Sequence, residues 1–158
     1  MPKPLILSRK NLANLGSVIQ QRKLLYTRMA VDEPTLLYIQ AGQKTLRWRG
    51  QELTIQAGEM VLLAAGQTFD VPNNPDAKLG FYQAGWIALE QRVVDEFADL
   101  FGVETYVQEL AKIQPLAPLK AHFDVVRQAL ENDEAPELVL KLKLFELLAW
   151  LKAEHLSF

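Results

Sequence analysis

Six large aromatic residues, Tyr38, Trp48, Phe69, Phe81, Tyr82 and Trp86, lie on or beside segments with strand character, and they have the most to offer a small molecule. A small β-barrel is either filled by such side chains or holds one ligand among them. A mostly apolar lining would suit a fatty-acid-like or aromatic molecule. Arg47 and Arg49 carry the charge to meet a carboxylate, but strand alternation turns them away from Trp48. They read instead as a solvated face which, with Lys44, could dock a regulatory protein. No nucleophile stands beside a base. Ser8, Ser17 and Ser157 lack a glycine-elbow context, and Glu52 and Glu59 fall at hairpin turns as solvated carboxylates. Cysteine is absent, and the two histidines, His122 and His155, both lie in the second half. No catalytic residue, metal ligand set or cofactor is assigned, and no phosphate-binding glycine loop is present.

The elements that must position these residues change character near residue 89. Before it, Gly42, Gly50, Gly58 and Gly66 recur at a constant step of eight. Glycine at such intervals marks tight turns between short strands, which predicts an all-β sandwich or barrel. The segments between the glycines do not resemble one another, so this is not a repeat protein. In the strand 44–49, Leu46 and Trp48 face one way, and Thr45, Arg47 and Arg49 the other. The continuous run Leu36-Leu37-Tyr38-Ile39 is that of a strand covered on both faces. Residues 81–89 form the last long strand, with Gly85 as a bulge. Pro72, Asn73, Asn74, Pro75 and Asp76 form the longest polar loop of this half.

After Leu89 the apolar period becomes helical. Val93, Val94, Phe97, Leu100 and Phe101 share a face that Gly102 caps. A second helix follows Pro118, with Leu119, Phe123, Val126 and Leu130 on one side. A third runs from about Pro136 to His155 and carries two apolar stripes. Leu138, Leu142, Phe145 and Ala149 make one; Leu140, Leu144, Leu147 and Leu151 make the other, nearly opposite. A surface helix needs one apolar stripe to cover its own core. Two buried contacts are therefore predicted: neighbouring helices of the same chain could cover both stripes, but the charged residues between them favour a two-fold helix pair, with Leu140, Leu144, Leu147, Leu148 and Leu151 assigned to the subunit interface.

Composition narrows the function classes. The 17 basic and 19 acidic side chains leave a formal charge of -2, without the excess a domain gripping nucleic acid by itself would show. No stretch approaches the apolar length of a membrane span, and the lack of cysteine fits a reducing compartment, so a cytoplasmic protein is expected.

The order of tokens in residues 35–70 resembles the N-terminal cupin domain of AraC-type transcriptional regulators. The tokens are Leu36-Leu37-Tyr38-Ile39-Gln40-Ala41-Gly42, then Leu46-Arg47-Trp48-Arg49-Gly50-Gln51-Glu52-Leu53, then Ile55-Gln56-Ala57-Gly58-Glu59-Met60-Val61-Leu62-Leu63, then Ala65-Gly66-Gln67-Thr68-Phe69-Asp70. The last segment looks most like the subgroup that controls virulence and secretion genes. The resemblance implies an α+β chain: a cupin-like antiparallel β-barrel (jelly roll) over 1–89, and a helical dimerisation subdomain over 90–158, in one compact unit. Metal-binding cupins carry histidines where this chain has Arg47, Trp48 and Arg49, which argues against a metalloenzyme. The expected function is regulatory sensing and homodimerisation, passing a small-molecule or protein signal to a DNA-binding unit. The regulators' helix-turn-helix pair has no counterpart here, so DNA is expected only through an attached domain absent from this chain. The alternative is a stand-alone metal-free cupin enzyme, such as an isomerase, or a small-molecule-binding protein.

Overall fold

The computed structural model describes residues 5–103 and 110–153. Strands β1 (Leu5–Arg9), β2 (Ala13–Gln20), β3 (Leu24–Ala30), β4 (Thr35–Ala41), β5 (Gln43–Trp48), β6 (Gln51–Gln56), β7 (Met60–Leu63), β8 (Thr68–Asn74) and β9 (Tyr82–Leu89) come first. Helix α1 (Gln91–Phe101), strand β10 (Leu110–Ile113) and helices α2 (Ala117–Glu131) and α3 (Glu137–Ala153) follow. The strands form two antiparallel sheets, ordered β1-β2-β9-β4-β7-β10 and β3-β8-β5-β6. They face each other as an open jelly roll rather than a closed barrel.

The glycine step of eight marks the hairpins. Gly42, Gly50, Gly58 and Gly66 all take positive φ, between 72° and 88°. The larger sheet is covered on both faces, which explains the apolar run of β4. Leu37 and Ile39 join Tyr82 and Ala84 in the core between the sheets. Leu36, with Ile87 and Leu89, joins the helical core on the other side. Gly102 closes α1 in the left-handed conformation at φ 63° and donates its N–H to the Ala98 carbonyl.

Several expectations are corrected. Pro72, Asn73 and Asn74 belong to β8, where Pro72 and Asn73 are buried, not to a polar loop. Leu25 pairs with Pro72 and Leu24 with Asn73. The bulge between β4 and β9 lies between Ile39 and Ala41, not at Gly85. Gly85 has another use: a Cβ there would come within 2.6 Å of an Arg127 guanidinium nitrogen. The division at residue 89 is also crossed, because β10 pairs with β7 and so returns to the larger sheet.

The largest correction concerns α3. Leu140, Leu144, Leu147, Leu148 and Leu151 are at most 2% exposed and pack into the chain's own helical core. A face used against α1, α2 and the sheet cannot also meet a second subunit. At about 1.5–3 kcal/mol per buried leucine, these residues hold the monomer together. Of the opposite stripe, Phe145 is buried in the same core, and Leu138 and Leu142 are left open at 67% and 57% exposure. The predicted end of this helix at His155 lies outside the described residues.

Polar contacts fasten the layers. Arg9 on β1 donates from Nε to the Leu130 carbonyl at 2.9 Å, and also to the Asn132 carbonyl. It thereby satisfies acceptors at the end of α2 that have no intrahelical partner. His122 of α2 reaches α3 twice, with Nε2 2.9 Å from the Lys143 carbonyl and Nδ1 2.8 Å from Glu146 Oε2. The two contacts tie α2 to α3.

Candidate functional site

Between the two sheets lies a half-open cavity of about 390 Å³. That volume is within the range of small-molecule sites. Its walls are Val18, Leu37, Leu63, Ala84 and Trp86. Alternation along β9 turns four successive inward residues, Tyr82, Ala84, Trp86 and Ala88, toward it. From the first to the last is about 20 Å at the rise of a strand. Burial gives the cavity a direction. Tyr82 and Lys44 at one end are buried, whereas Ile6 and Asp32 at the other are exposed.

The inner end is polar. Lys44 shares the inward face with Leu46, is 5% exposed, and sits 5.7 Å from the centre of the Tyr82 ring. In the register of the sheets Lys44 is opposite Asn73, and Tyr82 is opposite Gln20. Asn73 Nδ2 donates to Gln20 Oε1 at 3.1 Å, closing a four-residue cluster across the two sheets. The hydroxyl of Tyr82, Nε2 of Gln20 and Oδ1 of Asn73 are buried without a hydrogen-bond partner. No carboxylate among the described residues lies within ion-pair distance of Lys44. Burial pushes the Lys44 amine down to about 7. It pushes the Tyr82 hydroxyl up, with a smaller contribution from Tyr26.

The rim reaches the helical layer. Glu33, between β3 and β4, lines the cavity and accepts the backbone N–H of Gln91, the first residue of α1, at 3.2 Å. Helix α1 has no side-chain cap from its own N-cap residue, Glu90, so Glu33 supplies an acceptor to the helix start.

Of the six aromatic residues singled out, the structure brings Tyr82 and Trp86 to the cavity. Phe69 is buried in the same inter-sheet core, and Trp48 stacks edge-on against it at 5.6 Å. Tyr38 faces the other way, edge-on to Phe123 of α2 at 5.5 Å. Phe81 precedes β9 and is not part of the lining. Lys44 was expected on a solvated face beside Arg47 and Arg49, and that is corrected. Arg47 is exposed and pairs with Glu52 at 2.9 Å, while Arg49 occupies the turn with φ 46°. The signal that finds Lys44 is its parity with Leu46 and Trp48.

Glu59 is likewise not simply solvated. It is 6% exposed, accepts the Gln56 N–H, and pairs with Lys112 of β10 at 3.3 Å. Its partners make it a fastening of β10 to the β6–β7 turn. Ser8 is bonded to Asn14, and Ser157 and His155 lie outside the described residues. Among the described residues, no group of three or more histidine, aspartate and glutamate side chains converges to hold a metal ion. No described helix is long and apolar enough to cross a membrane.

A second hollow lies on the surface between α1 and α3, about 620 Å³, lined by Phe97, Phe101, Leu142, Phe145 and Ala149. It is larger than the inter-sheet cavity but more open, and its apolar rim continues onto Leu138 and Val139.

A jelly roll with a hollow interior, backed by three helices, defines a cupin-like ligand-holding module. The model of the AraC-like ligand binding domain matches residues 20–148, and the chain belongs to that family. No curated protein sequence matches the chain. Among solved structures, an apo ToxT variant from Vibrio cholerae strain SCE256 aligns with a TM-score of 0.70 at 12% identity, over 94% of this chain and 58% of that one. ToxT from strain O395 bound to (E)-4-(8-methylnaphthalen-1-yl)but-3-enoic acid aligns at 0.65 and 10% identity, over 93% and 59%. Wild-type ToxT from strain SCE256 bound to an unsaturated fatty acid aligns at 0.62 and 12% identity, over 96% and 59%. At these identities the likeness is one of fold, and the chain spans 58–59% of the length of these ToxT chains.

Proposed function

We propose that this chain is the signal-sensing part of an AraC-type transcription regulator, binding a small apolar molecule between its two sheets without acting on it chemically. The observation that carries this reading is the inter-sheet cavity, hollow and apolar-walled where a filled core would be the simpler outcome. The family match supports it, and the ToxT structures with acids of apolar body are consistent with it.

The signal has a physical route outward. Glu33 touches both the cavity and the start of α1. Helix α1 carries Phe101, which with Leu142 of α3 forms the exposed apolar face. A ligand that prefers one position of the rim loop would shift α1, since a ligand moves an equilibrium only by binding its two states unequally. In this reading a second copy of the chain covers the α1–α3 face, and the dimer's geometry is passed to an attached DNA-binding unit.

The test is thermal unfolding with and without dodecanol, a neutral probe of the cavity. Dodecanol raises Tm of the wild type, and Ala84→Met, which fills the cavity, abolishes the rise. An unchanged wild-type Tm at saturating dodecanol overturns the reading. For the dimer, light scattering over a dilution series is the check. Leu142→Asp lowers the mass toward that of a monomer while leaving the fold intact; a mass that is monomeric throughout overturns this part.

A further inference from the structure

We propose that the cleft between α2 and strands β1 and β2 is a second binding site, which takes a small aliphatic α-amino acid. Arg127 holds its carboxylate, Glu131 its ammonium group, and Leu7 and Leu15 its side chain. The site lies on the helical side of the larger sheet and stands whether or not the inter-sheet cavity holds a ligand.

The fold sets two opposite charges over an apolar floor. Helix α2 crosses the outer face of the larger sheet. Phe123 meets Tyr38 of β4, the Arg127 guanidinium lies over Gly85 of β9, and the Leu130 carbonyl accepts Arg9 of β1. Between α2 and the first two strands this leaves a cleft of about 260 Å³, whose lining includes Leu7, Leu15, Ser17, Arg127 and Glu131. In the sheet register Leu7 is opposite Leu15, and Ser17 is opposite Gly85. The apolar pair and the serine hydroxyl therefore share the face on which the guanidinium rests.

The first argument is that the guanidinium is seated but not saturated. A Cβ at Gly85 would collide with it, and its side chain is only 18% exposed. Its Nε is buried without a hydrogen-bond partner. Among the described residues its ion pair is with Glu131, at 3.9 Å, beyond hydrogen-bond length. Buried donors are ordinarily satisfied, and a carboxylate matches the planar guanidinium fork by accepting two parallel N–H bonds.

Glu131 gives the second argument, because it narrows the class of ligand. A lone anion entering the cleft would be drawn by Arg127 and repelled by the Glu131 carboxylate one helical turn on. A ligand with a cation beside its carboxylate satisfies both side chains. In an α-amino acid the two charges are joined through a single carbon, which suits a pair held loosely at 3.9 Å. The third argument is the floor. Leu7 and Leu15 are apolar, Leu15 is 4% exposed, and among the described residues no aromatic ring lines the cleft. An aliphatic side chain fits there, whereas a further charge would lose its water without gaining a partner.

The experiment uses the whole chain and three probes built on one skeleton. They are L-leucine, 4-methylpentanoate, which lacks the ammonium group, and 3-methylbutylamine, which lacks the carboxylate. Binding is read by calorimetry, and by NMR at the Leu7 and Leu15 methyls and the Arg127 Nε–H. The expected result is that L-leucine binds and shifts those resonances, while Val18 and Leu63 of the inter-sheet cavity stay unmoved. Each partial probe binds at least about tenfold more weakly, and Arg127→Gln or Glu131→Gln weakens L-leucine about tenfold to a hundredfold. No binding of L-leucine to the wild type overturns the proposal. So does 4-methylpentanoate binding as tightly as L-leucine, or a set of shifts confined to Val18, Leu37 and Leu63. The probe series and the NMR need no variant, so a misfolded Arg127→Gln still leaves a decisive readout.

Discussion

Replacing Lys44 by methionine keeps a long aliphatic side chain and removes the amine. In the native chain burial brings that amine from 10.5 down to about 7, and in the unfolded chain it returns to its ordinary value. Below the native value both states hold the proton, and the fold bears the full cost of a buried, unpaired charge. Between about 7 and 10.5 the unfolded chain keeps a proton that the native chain has released. Native stability therefore rises with pH across that window. The shift corresponds to about 5 kcal/mol as an upper limit, reduced by any water that reaches the amine. Lys44→Met is thus expected to exceed the wild type by a few kcal/mol near pH 6. Most of that advantage should vanish by about pH 9.5. Above that, Tyr38 and Tyr82, whose hydroxyls burial raises, ionise first in the unfolded chain and lower the stability of both proteins. Urea unfolding followed by circular dichroism measures the difference. Parallel pH profiles for the two proteins, or a variant less stable near pH 6, would refute the account of Lys44 as an unpaired buried cation.

Three other outcomes follow from the packing. Gly16→Ala would place a Cβ on the Trp86 indole, so the ring must shift; a loss of about 1–3 kcal/mol and a changed tryptophan emission are expected, and unaltered emission would count against it. Leu144→Ala, at a fully buried position, should cost about 2–5 kcal/mol in unfolding experiments without changing the mass of the folded species; a selective loss of dimer would restore the earlier assignment of that stripe. Glu33→Ala removes the acceptor at the start of α1, so amide exchange at Gln91 should accelerate and stability drop by about 1 kcal/mol, whereas unchanged exchange would deny the rim its link to the helices.

How far the sequence speaks depends on whether burial follows residue type. The hairpins were legible because a turn needs positive φ, and glycine supplies it at Gly42, Gly50, Gly58 and Gly66. The double covering of β4 was legible because water-facing positions would have broken its apolar run. Residues 72–74 misled, since Pro72-Asn73-Asn74 has turn chemistry yet is held in β8, Asn73 by its bond to Gln20. Lys44 misled in the same way, because charge suggested solvent while parity with Leu46 dictated the interior. The stripes of α3 could not be ranked from sequence, as both are rich in large apolar residues. Only the packing of α2, α1 and the sheet chooses Leu140, Leu144 and Leu147. The cavity itself required the two sheets to be placed, and Tyr38 fell on the wrong side of that placement by one residue of register.

The most direct test of the central claim is methyl NMR of the chain titrated with dodecanoate. The account predicts shifts at Val18, Leu37 and Leu63, which line the inter-sheet cavity, with Leu138 and Leu142 on the outer helical face unmoved. Shifts confined to Leu138 and Leu142 would place the ligand in the surface hollow between α1 and α3 and contradict a sensor that works from inside the jelly roll.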